Sequence, residues 1–311
     1  MSYRLRDFGS YTVGGRVHRV IEGEPREVNF TRSASYTVDP RGHFAVEHAY
    51  VQFFVPEERN AAPPVLLVHG GGMNGSTWET TPDGRPGWIN LLVQRGYEVH
   101  VIDNVERGRS GFSPGLWEGE PFLRSQEEAW KLFRIGPREN FVTRKPFERS
   151  LFPVDNFDAF ARMQVPRWLS TTSLQVTALV EALKRIGPAI VVCHSQGGEV
   201  TLDAMALAPT LFTGLIALEP SATPSQPNTG AQIPTVLFMG DNLDAEPHWV
   251  QRRENWRRWN DHSPEVSLIE SGINVKAGHS HLPMLDLENE NALATCFERL
   301  EDQAPGGDSD I

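Results

Sequence analysis

The chain is poor in cysteine: two occur in 311 residues, at positions 193 and 296. They lie far apart in sequence, and Cys193 falls inside an apolar run. Two small buried thiols in a reducing compartment are therefore expected, rather than a disulfide framework. Positive charge is also scarce. Lys and Arg number 29 against 40 Asp and Glu, a formal net charge of −11. That balance disfavours nucleic acid and anionic membrane as partners, because both are polyanions. No uninterrupted apolar stretch approaches the length of a membrane span. The first residues, MSYRLRDFGSYTVGG, lack the apolar core of an export signal, so a cytoplasmic location is the expectation. Ten histidines are present, but no HExxH and no tight His/Asp cluster, so neither a metal nor another cofactor is expected. Internal repeats are lacking too. The 27 Gly and 23 Pro are scattered, which implies many tight turns rather than low complexity.

What is there is an alternation. RVHRVIEG, SASYTVDP and HFAVEHAYVQFFVP read as antiparallel strands punctuated by Gly and Pro. PPVLLVHG follows, a short apolar run without polar alternation, as expected of a strand covered on both faces. Strand and helix patterns then take turns. GWINLLVQRGY is a helix and EVHVIDN a strand, and TTSLQVTALVEALKRIG is a helix closed by Gly187. AIVVCHS, TGLIALEP, PTVLFMGD and EVSLIES are strands, with helices at GGEVTLDAMALAP, HWVQRRENWRRWND and NENALATCFERLED. Such repetition predicts an α/β fold with a mostly parallel central sheet and helices on both faces. Residues 112–169 interrupt it with a stretch rich in Pro, Phe, Trp and Arg that holds one helical pattern, SQEEAWKLFRIG. The expectation is a core of residues 1–111 and 170–302, a cap inserted at 112–169, and a disordered acidic tail at 303–311.

Residues 190–198, IVVCHSQGG, place a hydroxyl at a sharp corner between strand and helix. Strand, x-Ser-x-Gly, helix is the pattern of the nucleophile elbow. The serine must stand clear of the sheet edge, and small neighbours must let strand and helix approach. Gly197 and Gly198 supply the small side, and Cys193 stands in the place of the usual first glycine. The N–H groups opening the next helix suit a developing oxyanion. In VLLVHGGGMNGSTWE, three glycines directly follow a buried strand, where backbone N–H groups can be aimed inward without obstruction. Gly71 is assigned as one oxyanion donor, with Gly72 as the second choice there, and the Gln196 N–H as the other. The segment lacks the Gly-Lys-Ser/Thr ending of a phosphate loop. AGHSHLPML, between the last strand and the last helix, offers His279 and His281 as the base. The acid could be Asp241 or Asp244 in FMGDNLDAE, or Glu219 in IALEPS. Each keeps the order Ser, Asp/Glu, His.

Together these residues resemble the α/β-hydrolase superfamily over about residues 60–302. They are more closely similar to a small group of bacterial serine esterases. The resemblance is carried by TWETTPDGRPGW at 77–88, RGRSG at 107–111 and CHSQGG at 193–198. In that group the acid is a Glu after the sixth strand of the family's sheet, which falls on Glu219, and the base closes a Gly-x-Ser/Thr-His loop, which falls on His281. Members carry two adjacent cysteines in the oxyanion loop where this chain has Gly71 and Gly72, so no role for that pair is carried over. The resemblance implies hydrolysis of a carboxylic ester or lactone by Ser195, His281 and Glu219 through an acyl-enzyme. A carbon–carbon bond hydrolase or a non-catalytic binding relative is the alternative. It is also compatible with a homodimer, although no stretch marks an interface. Gly72, Met73, Trp78 and His194 flank the catalytic loops and are the candidate pocket residues. The aromatics Phe112, Trp117, Trp130 and Trp168 suggest a bulky uncharged small-molecule substrate, and no arginine stands out as a carboxylate clamp.

Overall fold

The computed structural model describes residues 3–113, 115–224 and 233–303. Its frame is an eight-stranded sheet in the order β1-β4-β6-β5-β7-β8-β9-β10. Two long strands, β1 (Leu5–Val20) and β4 (Gly42–Pro56), form an antiparallel pair at one edge. β4 joins β6 (Val99–Asp103) antiparallel. From there every pairing is parallel, through β5 (Val65–Val68), β7 (Ala189–His194), β8 (Phe212–Leu218), β9 (Thr235–Met239) and β10 (Val266–Glu270). A separate two-stranded hairpin, β2 (Arg26–Asn29) with β3 (Ser35–Val38), sits between β1 and β4 in sequence.

The apolar runs explain the centre of this sheet. Every residue of β5, β6, β7 and β9 is buried, as a strand covered on both faces requires. One face packs on α1 (Trp88–Gln94) and α7 (Asn289–Glu301), and the other on α4 (Thr172–Ile186), α5 (Gln196–Leu207) and α6 (Pro247–His262). Cys193 and Cys296 are both free and buried, on opposite sides of the sheet. β1 begins at Leu5, eleven residues before the run that marks it in the sequence. It is an edge strand with one buried residue, Val13, so it carries no hydrophobic alternation to read.

Residues 112–169 contribute no strand to the sheet among the described residues. They hold α2 (Gln126–Leu132), α3 (Phe157–Ala161) and short 3-10 turns. Their aromatics pack on one another and are continuous with the cores on the two faces of the sheet. Trp130, Phe141, Phe152, Phe157 and Phe160 meet mostly edge to face at centroid distances of 5.3–6.3 Å. Trp117 and Trp168 pack at 4.9 Å beside Phe112. The polar tail expected after residue 302 lies, from residue 304 on, outside the described residues.

Sheet order places the chemistry. The chain runs from β5 outward to β6, then crosses back to β7 on the other side of β5. A parallel sheet leaves its crevice at such a reversal, beyond the carboxyl ends of the strands. The register aligns those ends: Val68 lies beside Cys193, His194 beside Leu218, and Leu218 beside Phe238. The residues that follow, His69, Ser195, Glu219 and Gly240, therefore emerge at one edge.

Candidate active site

Ser195 occupies the turn between β7 and α5 with φ 50° and ψ −118°. A non-glycine residue in this region costs on the order of 1–3 kcal/mol and persists only where its surroundings enforce it. Here they do. The Ser195 N–H donates to the Leu218 carbonyl at 3.0 Å, and the Gly198 N–H donates to the Ser195 carbonyl at 2.8 Å. The first turn of α5 is pressed against the end of β5: a Cβ on Gly197 would fall 2.4 Å from the His69 carbonyl oxygen. Only glycine permits that approach. Glu219, at the end of β8, also has positive φ, 45°.

His281 joins the two. Its Nε2 lies 3.0 Å from Ser195 Oγ, and its Nδ1 hydrogen-bonds Glu219 Oε2. With Nδ1 protonated, the carboxylate accepts and Nε2 presents a lone pair to the hydroxyl. The second Glu219 oxygen accepts from the Arg134 guanidinium and, at 2.6 Å, from the Gly240 N–H. Burial pushes the Glu219 carboxyl up, but Arg134 and His281 outweigh it and hold the group at about 2. Burial pushes His281 down to about 4 against the pull of Glu219, so its imidazole is neutral near pH 7.

The other acid and base candidates have different partners. His279 is buried with Nδ1 3.1 Å from Asp286. Asp244 is exposed and pairs with Arg253 at 2.8 Å. Asp241 fastens the histidine loop, accepting from the Gly278 N–H at 3.0 Å while its own N–H donates to the His279 carbonyl at 2.7 Å.

Gly71 and Gln196 line one cavity with Ser195 and His281. They adjoin, since a Cβ on Gly71 would lie 3.3 Å from the Gln196 Cβ. Among the described residues, neither N–H is given to a protein acceptor. The loop is braced from below: His69 Nδ1–H donates to the Gly70 carbonyl at 2.9 Å, and its Nε2 accepts from the Asn104 N–H at 3.1 Å. Arg107 is fully buried, pairs with Glu106 at 2.6 Å, and reaches the Gly70 and Met73 carbonyls.

The remaining pocket expectations need correction. Met73 and Trp78 are core residues, 1% and 0% exposed, turned into the cluster beneath the sheet rather than toward Ser195. Gly72 has φ 74° and its carbonyl accepts from the Val165 N–H at 2.9 Å, which ties the loop to the 112–169 segment instead of lining the cavity. His194 is wholly buried behind His281. Its Nε2–H donates to the His281 carbonyl at 2.8 Å, so it holds the histidine loop. Trp130 sits in the aromatic core of the 112–169 segment, and Trp117 and Trp168 face a separate cavity with Phe112. The lining also departs from the expected bulky uncharged substrate. The cavity has a volume of about 240 Å³ and carries Arg124, Arg167 and Arg252.

Sequence reasoning missed the residues that complete the surroundings. Phe133 stacks on the His281 ring at 5.7 Å, and its carbonyl accepts from the His281 N–H at 2.9 Å. Arg134 follows it and reaches Glu219. Trp249, on α6, lies 4.6 Å from the His281 ring and takes the Arg134 guanidinium at 4.4 Å. The available signal was an arginine placed inside the apolar run WKLFRIG, which a surface helix end does not need.

These elements and this edge define a class. Residues 65–286 match the family model described as "Alpha/beta hydrolase family", and the chain belongs to that family. A bacterial esterase known at atomic resolution superposes with a TM-score of 0.84 at 26% identity, over 97% of this chain and 98% of its own. A predicted CIB-like hydrolase from Thermoplasma acidophilum shares the fold, with a TM-score of 0.51 at 15% identity, over 81% of this chain and 92% of its own. A probable secreted lipase, phiG, from a fungal species (strain ATCC 74256), is 32% identical over 210 residues, 64% of this chain. The match spans 56% of that relative's length. Among the described residues, no helix is long and apolar enough to cross a membrane.

Proposed function

We propose that this protein hydrolyses a carboxylic ester or lactone through an acyl-enzyme on Ser195. The observation that carries the reading is the contact of His281 Nε2 with Ser195 Oγ at 3.0 Å, with Glu219 on the opposite ring nitrogen. His281 Nε2 takes the hydroxyl proton as Ser195 Oγ attacks the carbonyl carbon. The Gly71 and Gln196 N–H groups receive the oxyanion. Collapse of the tetrahedral intermediate expels the alkoxide, which takes the proton from His281 and leaves as the alcohol; in a lactone it stays tethered to the acyl group. Water then enters, His281 removes its proton, and the acid is released with Ser195 restored. Glu219 fixes the tautomer and balances the imidazolium. Arg134 keeps Glu219 ionised in a fully buried position. Residues 112–169 act as a cap, because Phe133 and Arg134 at the end of α2 complete the surroundings of His281. The esterase and lipase described among the similar proteins support this reaction class.

The test is proton release in a pH-stat with short and medium acyl esters and with small and macrocyclic lactones. Ser195→Ala is the control. Turnover that the variant loses by several orders of magnitude supports the reading. Turnover retained by the variant excludes it.

A further inference from the structure

The cavity beside Ser195 is cationic in a chain of formal net charge −11. Three arginines, Arg124, Arg167 and Arg252, line it against one carboxylate, Glu199. Arg124 is occupied by Glu128 at 2.7 Å. Arg167 and Arg252 form no ion pair or side-chain hydrogen bond among the described residues, and Arg167 Nε is buried without an acceptor. Glu106 and Glu199 act on Arg167, and Glu219 and Glu199 on Arg252, only beyond ion-pair distance, and a half-buried guanidinium without a close acceptor is costly unless something else supplies one.

Both are held in place. Arg167 exchanges backbone hydrogen bonds with Phe122, at 2.7 and 3.1 Å, and Phe122 in turn carries the Arg124 guanidinium over its ring at 5.0 Å. One small ladder thus positions two cations. Arg167 also lies against the oxyanion loop, since a Cβ on Gly71 would fall 2.3 Å from its Nη1. On the other wall, Arg252 rests over Trp249 at 4.8 Å, one helical turn along α6. Burial and the nearby Arg107 push Arg167 down to about 10, which still leaves it charged near neutral pH.

We infer that the substrate carries a free carboxylate close to the scissile carbonyl, and that Arg167 and Arg252 are the specificity-determining residues that bind it. This rests on the ester-hydrolase reading above. A volume of about 240 Å³ lies just below the range usual for drug-sized ligands, which favours a short acid over a long acyl chain. The chemical class is an ester of a small dicarboxylic acid with one carboxyl free, or an ester whose alcohol bears the carboxylate. Hydrolysis of the first yields a dicarboxylate beside the same arginines, so the free dicarboxylate should compete with substrate; hydrolysis of the second yields two separate monocarboxylates.

The experiment uses two matched pairs. One sets a glutaric acid hemiester against the neutral ester of the same chain length. The other sets a glycolate-type ester against its neutral alkyl counterpart. Wild type should prefer the charged member of at least one pair by about tenfold or more in kcat/KM. Added salt should shrink that ratio, and where the hemiester is the preferred member free glutarate should inhibit competitively. In Arg252→Met and Arg167→Met the ratio should fall toward one, and Arg252→Lys should recover part of it. The ratio cancels any general loss of activity. Preference for the neutral member of both pairs in wild type overturns the inference. So does an unchanged ratio in the arginine variants, which would reassign Arg167 to the oxyanion. If no ester of either kind is turned over and a fluorophosphonate fails to label Ser195, the ester-hydrolase reading itself has failed.

Discussion

Replacing Arg134 by methionine isolates the contribution of one buried charge. Arg134 is 1% exposed and Glu219 is 0% exposed, so neither can turn to water when its partner is lost. The guanidinium neutralises Glu219, donates through Nε to the Asp241 carbonyl at 2.7 Å, and lies over Trp249. The depression of Glu219 from 4.5 to about 2 corresponds to roughly 3 kcal/mol of stability, to which Arg134 and His281 both contribute. Removing one member of a buried pair costs on the order of 3–5 kcal/mol. In a chain of this size that is a fall in Tm of roughly 5–15 °C. The sign follows from linkage. A depressed carboxylate stabilises the fold above the unfolded pKa, and that contribution is lost as pH falls from about 4.5 through about 2. Wild type should therefore lose stability steeply across this interval, and Arg134→Met should start lower at pH 7 and lose less. The double variant Arg134→Met/Glu219→Gln should regain much of the deficit, because the unpaired charge is gone. Calorimetric or fluorescence melts of the four proteins from pH 3 to 7 read this directly. A Tm for Arg134→Met within about 2 °C of wild type, or a double variant less stable than either single one, would mean that the buried Arg134–Glu219 pair does not contribute as stated.

Glu219→Gln should reduce kcat by at least tenfold while Asp244→Asn leaves it within about twofold, because Asp244 is exposed and bound to Arg253; steady-state kinetics of both variants checks the order. The acid limb of kcat/KM should fall near pH 4 rather than 6.5. Burial holds His281 at about 4, so the proposed base is neutral above that value and protonates only below it; a pH–rate profile with a limb at 6–7 would contradict this. Gly197→Ala should lower stability by about 1–3 kcal/mol or prevent folding, since the new methyl meets the His69 carbonyl oxygen at 2.4 Å; urea unfolding measures it.

Much of this was legible in the sequence because it is locally encoded. Wholly buried parallel strands appear as unbroken apolar runs, and the elbow and the glycine loop each sit immediately after one of them. The structure brings Ser195 and Glu219 together because the register aligns the ends of β7 and β8, and His281 reaches both from the loop that follows β10. Other features were not legible because they arise from packing across long separations. Arg134 and Phe133 meet residues some 85 and 148 positions away. Arg167 and Arg252 share a cavity only after residues 112–169 fold over the sheet edge. Met73 and Trp78 misled for the same reason. Adjacency to the glycine loop suggested that they face Ser195, while both side chains lie in the core, Met73 just before Asn74, the cap of the turn Gly75–Trp78, and Trp78 at the end of that turn. The aromatics of residues 112–169 advertised an apolar pocket but serve to pack that segment on itself and onto the cores of the sheet.

The most direct test of the central claim is covalent capture. The full chain is treated with a fluorophosphonate at neutral pH, and the adduct is located by peptide mass mapping. One adduct per chain is expected, on Ser195. It should be absent in Ser195→Ala and much slower in His281→Ala, because the hydroxyl then lacks its base. No adduct on folded wild-type protein, or an adduct on another residue that persists in Ser195→Ala, would contradict Ser195 as the nucleophile.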